Sequence, residues 1–399
     1  MPDQSAAAPR HAEVRQKALQ QELRELLDIV APPQLVELLL ERAFQLRTTD
    51  IHLDPNENGL RVRLRVDGML HDVLDVPPQQ SLQMISRIKL MANMNITERR
   101  LAQDGHISRT VLDGHRDVRV GSGPTTFGER LVLRLMPESG GFRRFEDLGL
   151  EPDQIETLTR YATMPYGMIL SVGPVGSGKS TTMYSCLELV NNPAKSLVTI
   201  EDPVERRIPG VNQIQIEPKI GFGFVEALRG VLRQDPNVVM VGEIRDPETA
   251  HIGVRAARTG VLVLSTLHAQ DAASSFDVFR DFGVPPIFIG DSLLAVVAQR
   301  LLRKVCVHCK QTTVANEASR LMLGAENHPG DLLLARGVGC DSCFQTGYSG
   351  RTGVFEIIGV DDDLKHGLIS GAPRLEIIRL ARARGMRSLQ AAAARKVID

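Results

Sequence analysis

Eight consecutive residues, Gly173-Pro174-Val175-Gly176-Ser177-Gly178-Lys179-Ser180, have the spacing G-x-x-x-x-G-K-[ST]. Glycines at that spacing let backbone N–H groups turn inward around an anion, beside the positive end of the helix that follows. The chemistry expected is capture of ATP. Lys179 would reach the β- and γ-phosphates, the Ser180 hydroxyl would ligand Mg²⁺, and Thr181 would continue the loop into its helix. The flanks suit the motif, with apolar MILSV before it and TTMYSCLELV after it.

Hydrolysis would also need carboxylates near the γ-phosphate. VVMVGE, from Val238 to Glu243, is an apolar strand ending in an acid, the shape of a Walker B element with Glu where Asp is more usual. LVTIEDPVE ends in Glu201, Asp202 and Glu205. If both strands lie in one parallel sheet, their ends share the edge that holds the phosphate loop. One acid could hold the Mg²⁺ shell and the other orient the attacking water, and the sequence leaves open which does which. His268 follows a third such strand, VLVLST. There it could sense the γ-phosphate or simply be structural.

A second constellation is Cys306-x-x-Cys309 with Cys340-x-x-Cys343, the two pairs 30 residues apart. Tetrahedral Zn²⁺ takes four thiolates, and a shell closed by four cysteines leaves no position for water, so such a site would be structural. The gap between pairs is longer than in a common zinc ribbon, and redox-active cysteines are the alternative. Cys186, in the helix after the phosphate loop, reads as a core residue.

The elements that would position these residues fall into distinct stretches. Residues 1–32 are a polar, helical N-terminal tail, with Pro32 and Pro33 breaking its helix. From 33 to 137 the pattern is that of a smaller α+β domain. Leu60, Val62, Leu64 and Val66 alternate with Arg61, Arg63 and Arg65, as in a strand with one buried face. Asp67-Gly68 and Asp113-Gly114 are hairpin turns, and a helix is expected from about Ser81 to Met94. Residues 138–150 read as a linker able to act as a hinge. From 151 to 399, MILSV, LVTIE, VVMVG and VLVLST alternate with helices, which argues an α/β domain with a largely parallel sheet. The cysteine segment, 306–343, is counted with that domain. The last helix is expected from about Pro373 toward Val397.

A chain of 399 residues implies two or three domains. The formal net charge of -1 excludes any argument for a global pull toward nucleic acid or anionic lipid. Arg outnumbers Lys by 38 to 9, so no single Arg is informative by its type alone. No apolar run approaches the roughly 18 residues of a membrane span, and residues 1–10 lack the apolar segment of a signal peptide. A cytoplasmic location, with docking to a membrane through a partner, is the expectation.

Taken in order, GPVGSGKSTT, LVTIEDPVE, LRQDPNVVMVGEIRD and STLHAQDA resemble the secretion ATPases of the type II secretion and type IV pilus assembly family. The resemblance runs from about Leu38 to Lys396 and includes TDIHLDP, RVRLRVDGML, QDGHIS, DVRV and GERLVLRLM. CVHC, CDSC and GYSGRTGVFE extend it. It implies an α/β fold, a RecA-like P-loop ATPase domain hinged to a smaller N-terminal α+β domain, with a zinc-binding insert held by the four paired cysteines. It further implies a homo-hexamer, peripheral at the cytoplasmic face of the inner membrane, that works with an inner-membrane platform and the secretion or pilus assembly proteins. No direct contact with nucleic acid is expected.

By the same resemblance Lys179 and Ser180 belong to the nucleotide loop, Glu201 to the acidic box, Glu243 to the Walker B element and His268 to the His box. Arg119 in DVRV and Arg134 in LRLM match family arginines that reach the nucleotide from the N-terminal domain. Three departures stand out. His106 replaces an Arg, Asn237 replaces an Asp, and the family's N-terminal docking domain and C-terminal extension are expected to be reduced or missing. The cysteine pairs lean away from retraction-type members. A related ring ATPase for DNA uptake or transfer, and a nucleotide-gated scaffold with little turnover, are the alternative functions.

Overall fold

The structure, a computed structural model, describes residues 16–111, 114–136 and 143–399. The chain divides into two units. One comprises the N-terminal segment to Ser139 with Arg303–Thr312 and Ala335–Gly350; the other is Gly140–Leu302, Thr313–Leu334 and Arg351–Asp399.

The first unit is built from helices α1 (Gln16–Leu27), α2 (Pro32–Gln45) and α3 (Pro78–Met91) and strands β1 (Asp50–Asn56), β2 (Gly59–Val66), β3 (Met69–Val76), β4 (Gln103–Val111), β5 (Gly114–Thr125) and β6 (Gly128–Leu135). The strands form one antiparallel sheet in the order β3-β2-β1-β6-β5-β4. Its buried face follows from period-2 alternation: Leu60, Val62 and Leu64 point inward beside Ile51, Leu53, Leu131 and Leu133. Leu19, Leu23, Leu35, Leu39, Met84 and Ile88 from the three helices close that core. The expected Asp67-Gly68 turn is present, both residues at positive φ. Asp113 lies outside the described residues, but Val111 opposite Gly114 shows that the strands on either side pair as a hairpin.

One feature of this unit has no trace in a hydropathy pattern. Lys89 is 1% exposed and pairs at 2.7 Å with Glu129, itself 4% exposed, while also donating to the Glu98 carbonyl at 2.6 Å. Such a pair survives burial because each charge has a partner, and removing one partner typically costs about 3–5 kcal/mol.

The second unit opens with α4 (Phe145–Leu148) and α5 (Pro152–Ala162). Then come β7 (Gly167–Val172), α6 (Lys179–Val190), β8 (Leu197–Glu201), β9 (Asn212–Gln215), α7 (Phe224–Val231), β10 (Val238–Val241), α8 (Pro247–Arg258) and β11 (Leu262–Leu267). After α9 (Ser274–Asp281) and α10 (Pro286–Ser292), β12 (Leu293–Val305) carries the chain on to the short strands β13 (Lys310–Val314) and β14 (Leu333–Gly337), which flank α11 (Glu317–Leu323). β15 (Tyr348–Gly359), α12 (Asp362–Ile369), α13 (Arg374–Ala383) and α14 (Leu389–Ile398) complete the chain.

Seven strands form the main sheet, in the order β15-β12-β7-β11-β10-β8-β9, and neighbours from β12 to β9 run parallel. Both faces are covered, as the continuous apolar strands require. Met168, Leu170 and Val172 pack with residues of α8, α9 and α10, whereas Ile169 packs with α4, α5 and α6.

Three boundaries differ from the sequence reading. Residues 138–142 of the expected linker lie outside the described residues, and Phe145, Leu148 and Leu150 are buried in the second unit's core. The cysteine pairs fall in the first unit rather than with the α/β domain. The expected last helix is two helices, α13 and α14, interrupted at Gly385 (φ 90°), where a left-handed residue ends a helical turn.

Candidate active site

Parallel pairing aligns the strand ends. Val172 lies opposite Leu267, Val241 opposite Ser265, and Val241 opposite Ile200, so the phosphate loop, His268, Glu243 and Glu201 all leave the sheet at one edge. The loop joins β7 to α6. Gly173, Gly176 and Gly178 all have positive φ, and a Cβ on Gly173 would meet Ser177 Oγ at 2.7 Å. The fingerprint glycines are therefore required by backbone conformation.

Lys179 Nζ folds back onto its own loop, donating to the carbonyls of Gly173 (2.9 Å) and Pro174 (3.1 Å). Burial holds its ammonium below the usual lysine range; the charge of Glu243 opposes that shift and that of Arg300 adds to it. Ser180 and Thr181 follow on the first turn of α6, half-buried. The Ser180 hydroxyl and the carboxylates that leave the same sheet edge are hard oxygen donors, the type that suits Mg²⁺.

Glu243 sits just beyond β10, hydrogen-bonded by Arg245 and 3.6 Å from His268 Nε2. The His268 ring is largely exposed. Glu201 has the opposite setting. It is 3% exposed, and its carboxylate accepts from the Tyr184 hydroxyl, from Thr199 Oγ1 (2.5 Å) and from Gln213 Nε2 (3.0 Å). Of the acids, Glu243 thus has access to solvent and to Lys179, while Glu201 is enclosed.

Sequence reasoning missed Gln299. Its buried amide donates to the Ser177 carbonyl (2.8 Å) and accepts from Ser171 (3.1 Å) and Thr182 (2.7 Å), tying β12 to the strand, loop and helix of the phosphate site. Arg300 follows it and donates to the carbonyl of Gln270, two residues past His268 (2.6 Å). A Gln-Arg pair at the end of the apolar run LLAVVA was the available signal.

Arg119 and Arg134 belong to the first unit. They face each other across β5 and β6, and the same row continues from His106 on β4 to Asp50 on β1 and Arg65 on β2. Arg134 Nε lies 3.2 Å from Asp50 Oδ1, yet its side chain is 65% exposed.

The four cysteines of the two pairs converge. Their sulfur atoms all lie within 4.8 Å of one another, with Cys306–Cys340 at 3.9 Å, Cys309–Cys343 at 3.8 Å and Cys340–Cys343 at 3.7 Å. A tetrahedron with Zn–S bonds of about 2.3 Å has S···S edges of about 3.8 Å. Burial works against charge on Cys343, but the backbone amides of Cys340 and Gly347 donate to it, and its thiol is held down at about 7. The Phe344 ring lies 4.7 Å from the His71 ring at a tilt of 42°, and the Gly350 amide donates to Asp67 (2.6 Å), so the cysteine segment is fastened within the first unit.

A family model for type II/IV secretion system proteins matches residues 28–399. Among curated proteins, the type II secretion system protein HxcR of Pseudomonas aeruginosa is 42% identical over 89% of this chain and 72% of its own length. Type II secretion system protein E of Aeromonas hydrophila is 41% identical over 87% and 69%. The type IV pilus assembly ATPase PilB of Thermus thermophilus is 41% identical over 91% of this chain, which spans only 41% of that longer protein. Among solved structures, the ATPase DotB of Legionella pneumophila superposes with TM-score 0.67 at 20% identity, covering 91% of each chain. The pilus retraction motor PilT with bound ADP gives 0.60 at 23%, covering 89% of this chain and 91% of its own. These two share the fold. Among the described residues, no helix is long and apolar enough to cross a membrane.

Proposed function

The chain belongs to the type II/IV secretion system protein family, and from that premise we propose that it is an ATPase powering type II protein secretion or type IV pilus assembly. The observation that carries this reading is the convergence of Lys179, Glu243 and His268 at the sheet edge that holds the phosphate loop. In this reading the glycine-rich loop and Lys179 hold the triphosphate. Ser180 and the acids hold Mg²⁺, which when bound neutralises charge on the phosphates. Glu243 orients the attacking water, His268 reads the γ-phosphate, and Glu201 fixes the outer shell. Arg119 and Arg134 supply charge from the first unit.

The working form would be a homo-hexamer, cytoplasmic and peripheral at the inner membrane, attached through the platform of a secretion or pilus machine. The four thiolates would hold one structural Zn²⁺. Steady-state phosphate release by the purified chain, with its mass by light scattering in ATP and ADP, tests the enzyme and the ring together. Gene deletion, scored for surface pili and for secreted proteins, distinguishes the two machines. A chain that binds ATP and releases no phosphate would instead be a nucleotide-gated scaffold.

A further inference from the structure

Tyr184 lies four residues after Ser180 on α6, so the two side chains share one face of the helix that the phosphate loop opens into. Its hydroxyl donates to Glu201 Oε2, at the end of β8. We infer that Tyr184 is a positioning residue for the nucleotide site, fixing Glu201 as an acceptor for the hydration shell of the Mg²⁺ that Ser180 binds. The inference rests on the ATPase reading above.

A carboxylate offers about four lone-pair sites. On Glu201, Thr199 and Gln213 occupy both sites of Oε1, and Tyr184 occupies one on Oε2. All three partners donate, which suits a carboxylate that remains an acceptor. Among the described residues no other group donates to Oε2, which leaves one site there beside the phenol. Burial, and then the charge of Glu201, raises the Tyr184 phenol well above its usual range, so it stays a donor at any working pH. The partners come from different elements: Tyr184 from α6, Thr199 from β8 itself and Gln213 from β9. Gln213 also donates to the Arg206 carbonyl (2.8 Å) and accepts from the Ile208 amide (2.7 Å), which secures the loop between β8 and β9. A group held from three sides keeps one orientation, and of its three partners the phenol is the one on the helix that carries Ser180.

Tyr184→Phe removes the donor and keeps the ring that packs there. The expected result is an unchanged melting temperature within a few degrees and unchanged binding of a fluorescent ATP analogue without Mg²⁺. The Mg²⁺ concentration that half-saturates the analogue's tight binding should rise roughly tenfold, the scale of one lost hydrogen bond to a charged group. Phosphate release should fall and partly recover at high Mg²⁺. Because Tyr184 acts through Glu201, the double variant Tyr184→Phe/Glu201→Gln should be no slower than Glu201→Gln alone. Superimposable Mg²⁺ curves for parent and Tyr184→Phe, or fully additive losses in the double variant, would overturn the inference while parent turnover leaves the ATPase reading standing. A parent chain with no nucleotide binding would overturn the ATPase reading, and this inference with it.

Discussion

His268 Nε2 stands 3.6 Å from Glu243 Oε2, and these two groups come from the ends of adjacent parallel strands. In the ATPase reading proposed above, this acid and imidazole would meet the γ-phosphate of a nucleotide held by Lys179. Glu201, one strand beyond Glu243, is instead enclosed by Tyr184, Thr199 and Gln213.

This contrast gives the first prediction. Glu243→Gln should bind ATP within a few-fold of the parent and lose turnover by about a hundredfold or more, since the variant keeps shape and loses the charge proposed to orient water. Glu201→Gln should also lose most turnover. Lys179→Ala should weaken binding as well as turnover. Phosphate release at saturating ATP decides it; parental rates in both Gln variants would remove the two acids from the site.

Lys179 sets a pH dependence. Its folded value lies below the ordinary lysine value, chiefly through burial, so its charge is lost at a lower pH than that of a free lysine. A polyphosphate beside it favours the charged form. Binding should therefore take up protons in the alkaline range, and affinity should fall as pH rises there. Calorimetry at alkaline pH in two buffers of different ionisation enthalpy measures the uptake, and Lys179→Arg should abolish it because a guanidinium stays protonated. Equal heats from the parent in both buffers would contradict it.

The sheet and its phosphate loop were legible because the information is local. Positive φ at Gly173, Gly176 and Gly178 demands glycine, and apolar runs such as MILSV and VLVLST mark strands buried on both faces. What escaped is long-range. Gln299 reaches Ser177 across 122 positions and Ser171 across 128, and no period or spacing encodes such contacts. The Lys89–Glu129 pair spans 40 positions and looks, in sequence, like two surface charges. Chain order places the cysteine segment with the α/β domain, whereas its contacts, such as Phe344 with His71, lie with the first unit. The break between α13 and α14 was readable, since ARARGMRS places Gly385 where a helix ends.

Four sulfur atoms at tetrahedral spacing predict one zinc per chain by elemental mass spectrometry. Cys340→Ser should lower the melting temperature and expose the segment from Cys306 to Cys343 to protease. Structural zinc contributes roughly 10 kcal/mol or more in isolated peptides, and less where a large domain supports the ligands. Thiols must lose their protons to bind metal, so zinc should be retained near neutral pH and released on acidification. A folded, metal-free chain purified without chelator would refute the site.

The last prediction concerns Arg119 and Arg134. They are cross-strand partners on β5 and β6, so their side chains leave the same face of the first unit's sheet, opposite its apolar core. Asp50 pairs with Arg134 from β1, yet most of that guanidinium remains exposed. Asp50 is largely buried but keeps Arg65 at 3.4 Å and the Thr49 hydroxyl at 2.8 Å when Arg134 is removed, and the exposed Arg134 end of the pair contributes little to stability. Losing it should leave the unit folded. A guanidinium fork, in contrast, gives bidentate, charge-assisted hydrogen bonds to a phosphate, which strengthen as charge shifts during transfer. An arginine acting on a transferring phosphoryl group can be worth on the order of a thousandfold in rate. Arg134→Ala should therefore cut phosphate release steeply while melting temperature, ring assembly and ATP binding stay near parental values, and Arg119→Ala should behave alike. Arg134→Lys separates charge from geometry: a single ammonium cannot make the bidentate contact, so it should restore only part of the rate. Parental turnover in both single Ala variants and in the double variant would leave this sheet face without a catalytic role.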